Sequence, residues 1–77
     1  MMVAVIGAGS WGTALSEVLA SNGHDVRLWA RKPEVVAGVN EQHRNPRYLV
    51  DVTLSERIVA TTSFDELLEG AGAIVVV

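Results

Sequence analysis

Val3-Ala4-Val5-Ile6-Gly7-Ala8-Gly9-Ser10-Trp11-Gly12 joins a continuous apolar run to a cluster of glycines. Apolar residues in succession, with no polar alternation, suit a central parallel strand covered on both faces. The glycines stop that strand, and the pattern behind them is helical. Ala14, Leu15, Val18 and Leu19 recur at the spacing of one helix face, and Asn22-Gly23 supplies a left-handed stop. The spacing predicts a helix of about three turns with that apolar set turned inward.

Outward from this stretch the alternation of strand and helix repeats. Asp25 to Ala30 alternates polar and apolar residues and predicts a second strand, nearer the sheet edge. Pro33 suits a first helical turn, Glu34 suits its dipole, and Val35, Val36 and Val39 give a short second helix its apolar side. Asn40 to Glu56 is polar, contains Asn45-Pro46, and reads as a long loop. Arg57 to Thr61 predicts a third strand. Ser63 and Glu66 form a capping box that opens a helix from Phe64 to Glu69, with Leu67 and Leu68 facing inward and Gly70 ending it. Ala73 to Val77 predicts a fourth strand.

Strands alternating with helices are βαβ units, so the fold class is α/β with a parallel sheet. Residues 1–77 read as the N-terminal portion of a dinucleotide-binding domain, the first four strands of a doubly wound, Rossmann-type sheet, with any substrate domain outside them. An apolar run such as Ala73 to Val77 normally sits in the middle of such a sheet, so the chain is expected to continue. Were it to stop there, the bare strand edge would favour a homo-oligomer.

Gly7-Ala8-Gly9-Ser10-Trp11-Gly12 fits G-x-G-x-x-G between a predicted strand and a predicted helix. In a dinucleotide site Gly7 permits the tight turn, Gly9 lets the backbone approach a pyrophosphate, and Gly12 lets helix and sheet pack closely. Free N–H groups at the helix start then meet the phosphates. Two other readings stand beside this one: a glycine turn with no ligand, and the adenosyl cofactor of a methyltransferase. The end of the second strand, where an NAD-specific site places an acid, reads Ala30-Arg31-Lys32. Arg31 there offers a planar fork for a 2′-phosphate, with Lys32 a supporting charge, so NADP is expected to be accepted alongside NAD. The plainer reading makes them solvated loop cations.

Composition narrows the classes. The 77 residues are 49% hydrophobic, lack cysteine and carry a formal net charge of −3. Six Lys and Arg with no basic block give no footprint for nucleic acid. Disulfides and thiolate metal sites are excluded, and His24 and His43 show no ligand spacing, so no metal is assigned. No run reaches signal-peptide or membrane-span length, and a cytoplasmic location is the default expectation. Asp65, Glu66 and Glu69 are explained by the helix dipole and the capping box.

The glycine string through Thr13-Ala14-Leu15, with Leu28-Trp29-Ala30-Arg31 and Asn45-Pro46-Arg47-Tyr48-Leu49, resembles bacterial NAD(P)-dependent glycerol-3-phosphate dehydrogenase over essentially the whole chain. Val50 departs from it, standing where the family commonly has proline. The resemblance implies an oxidoreductase that reduces dihydroxyacetone phosphate to glycerol 3-phosphate with NAD(P)H and feeds phospholipid synthesis. It implies that Ser10 and Trp11 contact the cofactor, that Arg31 and Lys32 meet its 2′-phosphate end, and that Tyr48 lines the adenosine side. Each has a structural alternative: Ser10 as a helix cap, Trp11 as a packing aromatic, Tyr48 as a loop anchor. Asn45 and Arg47 read first as loop structure. The family's catalytic lysine lies beyond Val77, so no catalytic residue falls within 1–77 and the chain alone is expected to be inactive. A non-catalytic nucleotide-binding half-domain, and a hydroxy-acid dehydrogenase of the same fold, are the competing functions.

If Arg31 grips the 2′-phosphate, Arg31→Asp weakens NADPH binding by about tenfold or more and NADH binding far less, as titration of each nucleotide would show. Equal losses for both would remove that role.

Overall fold

A computed structural model describes residues 1–77. β1 spans Met2–Ile6, α1 Ser10–Ser21, β2 Asp25–Trp29, α2 Pro33–Ala37, β3 Ile58–Thr61, α3 Phe64–Leu68 and β4 Ala73–Val76. Every strand pairing is parallel, in the order β3-β2-β1-β4. The chain steps one way from β1 to β3 and then returns to the other flank of β1. That reversal is the switch point of a doubly wound sheet, and it lies between β1 and β4.

Val3 pairs with Val26 and Val5 with Leu28, and Ile58 and Ala60 continue the row across β3. Because side chains alternate along a strand, these share one face. Ala20 of α1, Val35 of α2, and Val39 and Leu54 beyond it cover that face and complete the buried core. Burying each large aliphatic side chain contributes about 1.5–3 kcal/mol. On the opposite face α3 buries Leu67, and Trp29 stacks on Phe64 with ring centroids 4.7 Å apart.

Packing revises several local expectations. α1 buries Gly12, Thr13, Ser16 and Ala20, whereas Val18 is 56% exposed and Ala14, Leu15 and Leu19 are only half-buried. The helix starts so close to the sheet that small side chains are the ones that fit beneath it. The Ser16 hydroxyl donates to the Gly12 carbonyl at 2.7 Å, so burying it leaves no polar group unpaired. β2, expected nearer the edge, is flanked by β1 and β3. Its polar alternation has another cause. The Arg27 guanidinium donates to the carbonyls of Glu66 and Glu69, closing the C-terminal end of α3, and Trp29 Nε1 donates to the Thr62 carbonyl at 3.0 Å.

α3 ends at Leu68 rather than Glu69, and Leu68 is 44% exposed while Leu67 is fully buried. Its capping box is half formed. The Glu66 N–H donates to Ser63 Oγ at 3.3 Å, but the Glu66 carboxylate accepts from the Thr61 hydroxyl at 2.7 Å, and the Ser63 N–H donates to Thr61 Oγ1 at 3.0 Å. Thr61 has inserted itself into the reciprocal arm.

The segment read as loop from Asn40 begins as helix. α2 widens into a π-helical turn, Gly38–Gln42, stopped by His43 in a left-handed conformation. The turn brings Asn40 to β3, where its amide donates to the Ala60 carbonyl at 2.9 Å and accepts from the Ala60 N–H at 2.8 Å. These two bonds mimic a strand neighbour and protect the outer edge of β3.

The revised face of α1 predicts opposite outcomes at two positions. Val18→Ser should change stability by less than about 0.5 kcal/mol, while Ala20→Leu should cost about 1–3 kcal/mol by overpacking, read from urea denaturation midpoints.

Candidate functional site

The glycine turn is built by contact as well as by conformation. Gly7 has φ 122°, which side chains rarely tolerate, and a Cβ at Gly12 would lie 1.6 Å from the Gly7 carbonyl oxygen. Backbone therefore meets backbone at the β1–α1 junction. Gly9 differs: it is extended, it caps α1, and a Cβ there would meet nothing within 4 Å. The space beside Gly9 faces a cleft. The first N–H groups of α1 have no partners within the helix, no acid occupies its first turn, and no side chain caps it.

That cleft has a volume of about 340 Å³. Ala8 and Gly9 of the glycine turn line it together with a first wall from β2 and α2, Trp29, Ala30, Arg31, Lys32 and Val35, and a second from the later loop, Arg47 and Tyr48. Two elements create the first wall: β2 ends at Trp29, and α2 starts at Pro33, so Arg31 and Lys32 occupy the tight link between strand and helix. Neither cation belongs to an ion pair; those of the chain are His43–Glu56, Arg47–Glu34 and Arg57–Asp25. The cleft thus presents unpaired positive charge beside an apolar surface and open helix N–H groups, which suits an anionic ligand with a flat apolar part.

The second wall is held by Asn45, which is fully buried. Its Nδ2 donates to the Ala8 carbonyl and to Thr13 Oγ1, both at 2.9 Å. Its Oδ1 accepts from the Arg47 N–H at 3.0 Å and the Tyr48 N–H at 3.1 Å. One amide therefore ties the glycine turn to the loop segment that carries Arg47 and Tyr48. The sequence marked Asn45-Pro46 first as loop structure; the local signal available was the habit of Asn to bond backbone groups two residues on. Its long-range pair of bonds had no signature.

Of the residues singled out from sequence, Gly9, Arg31, Lys32 and Tyr48 meet around the cleft. Gly7 and Gly12 lie beneath it as the close contact of the turn. Ser10 and Trp11 lie outside the lining; Ser10 makes no capping bond, and Trp11 is 81% exposed, so neither alternative read for them is realised. Arg47 lines the cleft although it read as loop structure.

Comparison with known proteins gives one consistent result. Residues 2–77 match the family model described as NAD-dependent glycerol-3-phosphate dehydrogenase N-terminus. A glycerol-3-phosphate dehydrogenase (NAD(P)+) of Nitratidesulfovibrio vulgaris is 58% identical over 71 residues, covering 92% of this chain and 22% of the relative. One from Lactococcus lactis is 53% identical over 75 residues, 97% of this chain and 22% of the relative. The crystal structure of glycerol-3-phosphate dehydrogenase from Coxiella burnetii superposes with a TM-score of 0.89 at 39% identity, covering 97% of this chain and 23% of that one. The Saccharomyces cerevisiae glycerol-3-phosphate dehydrogenase gives 0.90 at 28% identity, covering 100% and 26%. The chain spans about a fifth of the length of the curated relatives it matches.

The two kinds of glycine separate experimentally. Gly12→Ala should cost more than about 3 kcal/mol, because the clash is with backbone that cannot turn aside, whereas Gly9→Ala should leave the thermal midpoint within a degree or so.

Proposed function

The chain belongs to the family of NAD-dependent glycerol-3-phosphate dehydrogenase N-termini, and from that premise we propose that it forms the pyrophosphate turn and adenosine side of an NAD(P)H-dependent reductase converting dihydroxyacetone phosphate to sn-glycerol 3-phosphate. One observation carries the assignment of the site: the open backbone at Gly9 and the unpaired cations Arg31 and Lys32 share one cleft with Tyr48. The residues fit a dinucleotide. No Cβ fills the place a pyrophosphate needs, and a 2′-phosphate finds cations without competing partners.

In this reading the first N–H groups of α1, at Ser10, Trp11 and Gly12, hold pyrophosphate oxygens where the helix dipole favours negative charge. Arg31 takes the 2′-phosphate by a paired N–H fork and Lys32 adds a point charge. Tyr48 and Val35 enclose the adenosine. Gly7 and Gly12 keep the turn close to the sheet, and Trp11, exposed and outside the cleft lining, would meet only a part of the cofactor that extends past the cleft. The nicotinamide, when bound, supplies the hydride. The work of residues 1–77 is to grip and orient, and no group among them is assigned to proton transfer. The feeding of phospholipid synthesis and a cytoplasmic location belong to the same reading. No helix is long and apolar enough to cross a membrane.

Purified protein carrying this N-terminus should oxidise NADPH on addition of dihydroxyacetone phosphate and not on addition of a 2-keto acid, as loss of NADPH absorbance would report. Nucleotide binding without turnover on either substrate would leave a half-domain that only binds. Turnover on the keto acid would move the protein to another dehydrogenase class.

A further inference from the structure

Resting on the nucleotide reading above, we propose that Arg47 is the third cation for the cofactor's 2′-phosphate, and that Glu34, by holding Arg47, sets the preference between phosphorylated and unphosphorylated dinucleotide. Arg47 lines the same cleft as Arg31 and Lys32. Its place is fixed from two directions. The buried Asn45 accepts from its backbone N–H at 3.0 Å, and its guanidinium Nη1 lies 3.5 Å from Glu34 Oε2. Of the three cations that line the cleft, it is the one with a carboxylate partner.

The charge arithmetic gives that partner a role. A ribose 2′-phosphate brings a charge of about −1.5 to −2 near neutral pH, and Arg31 with Lys32 already match it. An unphosphorylated ribose brings none, and a third free guanidinium would then gain nothing from the ligand. Glu34 gives Arg47 an alternative partner in that state. When a 2′-phosphate is present it competes with Glu34 for the same guanidinium, and the long contact at half-exposed side chains makes Glu34 a weak competitor. The pair thus lets one cleft accept both nucleotides, and the strength of the Glu34 contact tunes the ratio.

The alternative is that the ion pair merely fastens the loop to α2, which would affect both nucleotides alike. Dissociation constants for NADPH and NADH separate the two, measured by isothermal titration on purified protein carrying this N-terminus and on its Glu34→Gln, Arg47→Gln and double variants. Glu34→Gln keeps the side chain's size and Arg47→Gln a polar side chain, both at exposed positions. Glu34→Gln should tighten NADPH by about two- to fivefold with NADH unmoved, an effect that shrinks as salt is raised. Arg47→Gln should weaken NADPH by about fivefold or more, and the double variant should behave like Arg47→Gln alone, because Glu34 acts through Arg47. An unchanged NADPH-to-NADH ratio in Glu34→Gln, or parallel losses for both nucleotides in Arg47→Gln, would overturn the proposal while leaving the dinucleotide site standing. Failure of the unsubstituted protein to bind either nucleotide would overturn both.

Discussion

The start of α1 rests on the carbonyl of Gly7 so closely that position 12 has no room for a single carbon. Much of the architecture follows from that contact. It fixes how near the helix lies to the sheet, which is why α1 buries a strip of glycine, threonine, serine and alanine and leaves a valine in water. It fixes where the open N–H groups of the helix stand relative to the ends of β1 and β2. Thr13, the next residue, carries the hydroxyl to which Asn45 donates, so the far wall of the cleft is hung from the same junction. A shift of the helix would move the turn, its N–H groups and the loop together.

Charge is organised locally, against the sign of the whole molecule. The chain has a net charge of −3 and six Lys and Arg, yet Arg31, Lys32 and Arg47 all line one cleft. Composition therefore speaks against diffuse attraction of polyanions while one concave place gathers three of the six Lys and Arg, with a helix N-terminus beside them. A small multiply charged anion fits that distribution. A long nucleic-acid backbone does not.

The sheet was legible because its signals are local and periodic: Val3 to Ile6 is an apolar run stopped by Gly7, Ala73 to Val76 one that follows Gly72, and the parallel pairing follows from βαβ alternation. The first wall of the site was equally legible, since Arg31 and Lys32 follow the end of β2 directly. What escaped reading depended on distant partners. Arg27 belonged to the polar alternation of a strand expected nearer the edge, but it closes the end of a helix far along the chain. Asn40 and Asn45 looked like loop residues; one completes the edge of β3 and the other joins the loop to the glycine turn. Glu66 satisfied a capping pattern and then chose Thr61. In each case a hydrogen-bond partner brought close by the fold settled what the local pattern left open.

The order of the strands also sets an order in time. Every residue lining the cleft lies between Ala8 and Tyr48, and the pairings of β1 with β2 and of β2 with β3 use residues up to Thr61. The second flank of β1 is supplied by β4, whose first paired residue is Ala73. On the ribosome, at about 5–20 residues per second, the walls of the pocket are made on the order of one to five seconds before the strand that completes its central scaffold. Until then β1 carries an open, apolar side, and the nascent chain is most exposed to mispairing just after its binding surface has been synthesised.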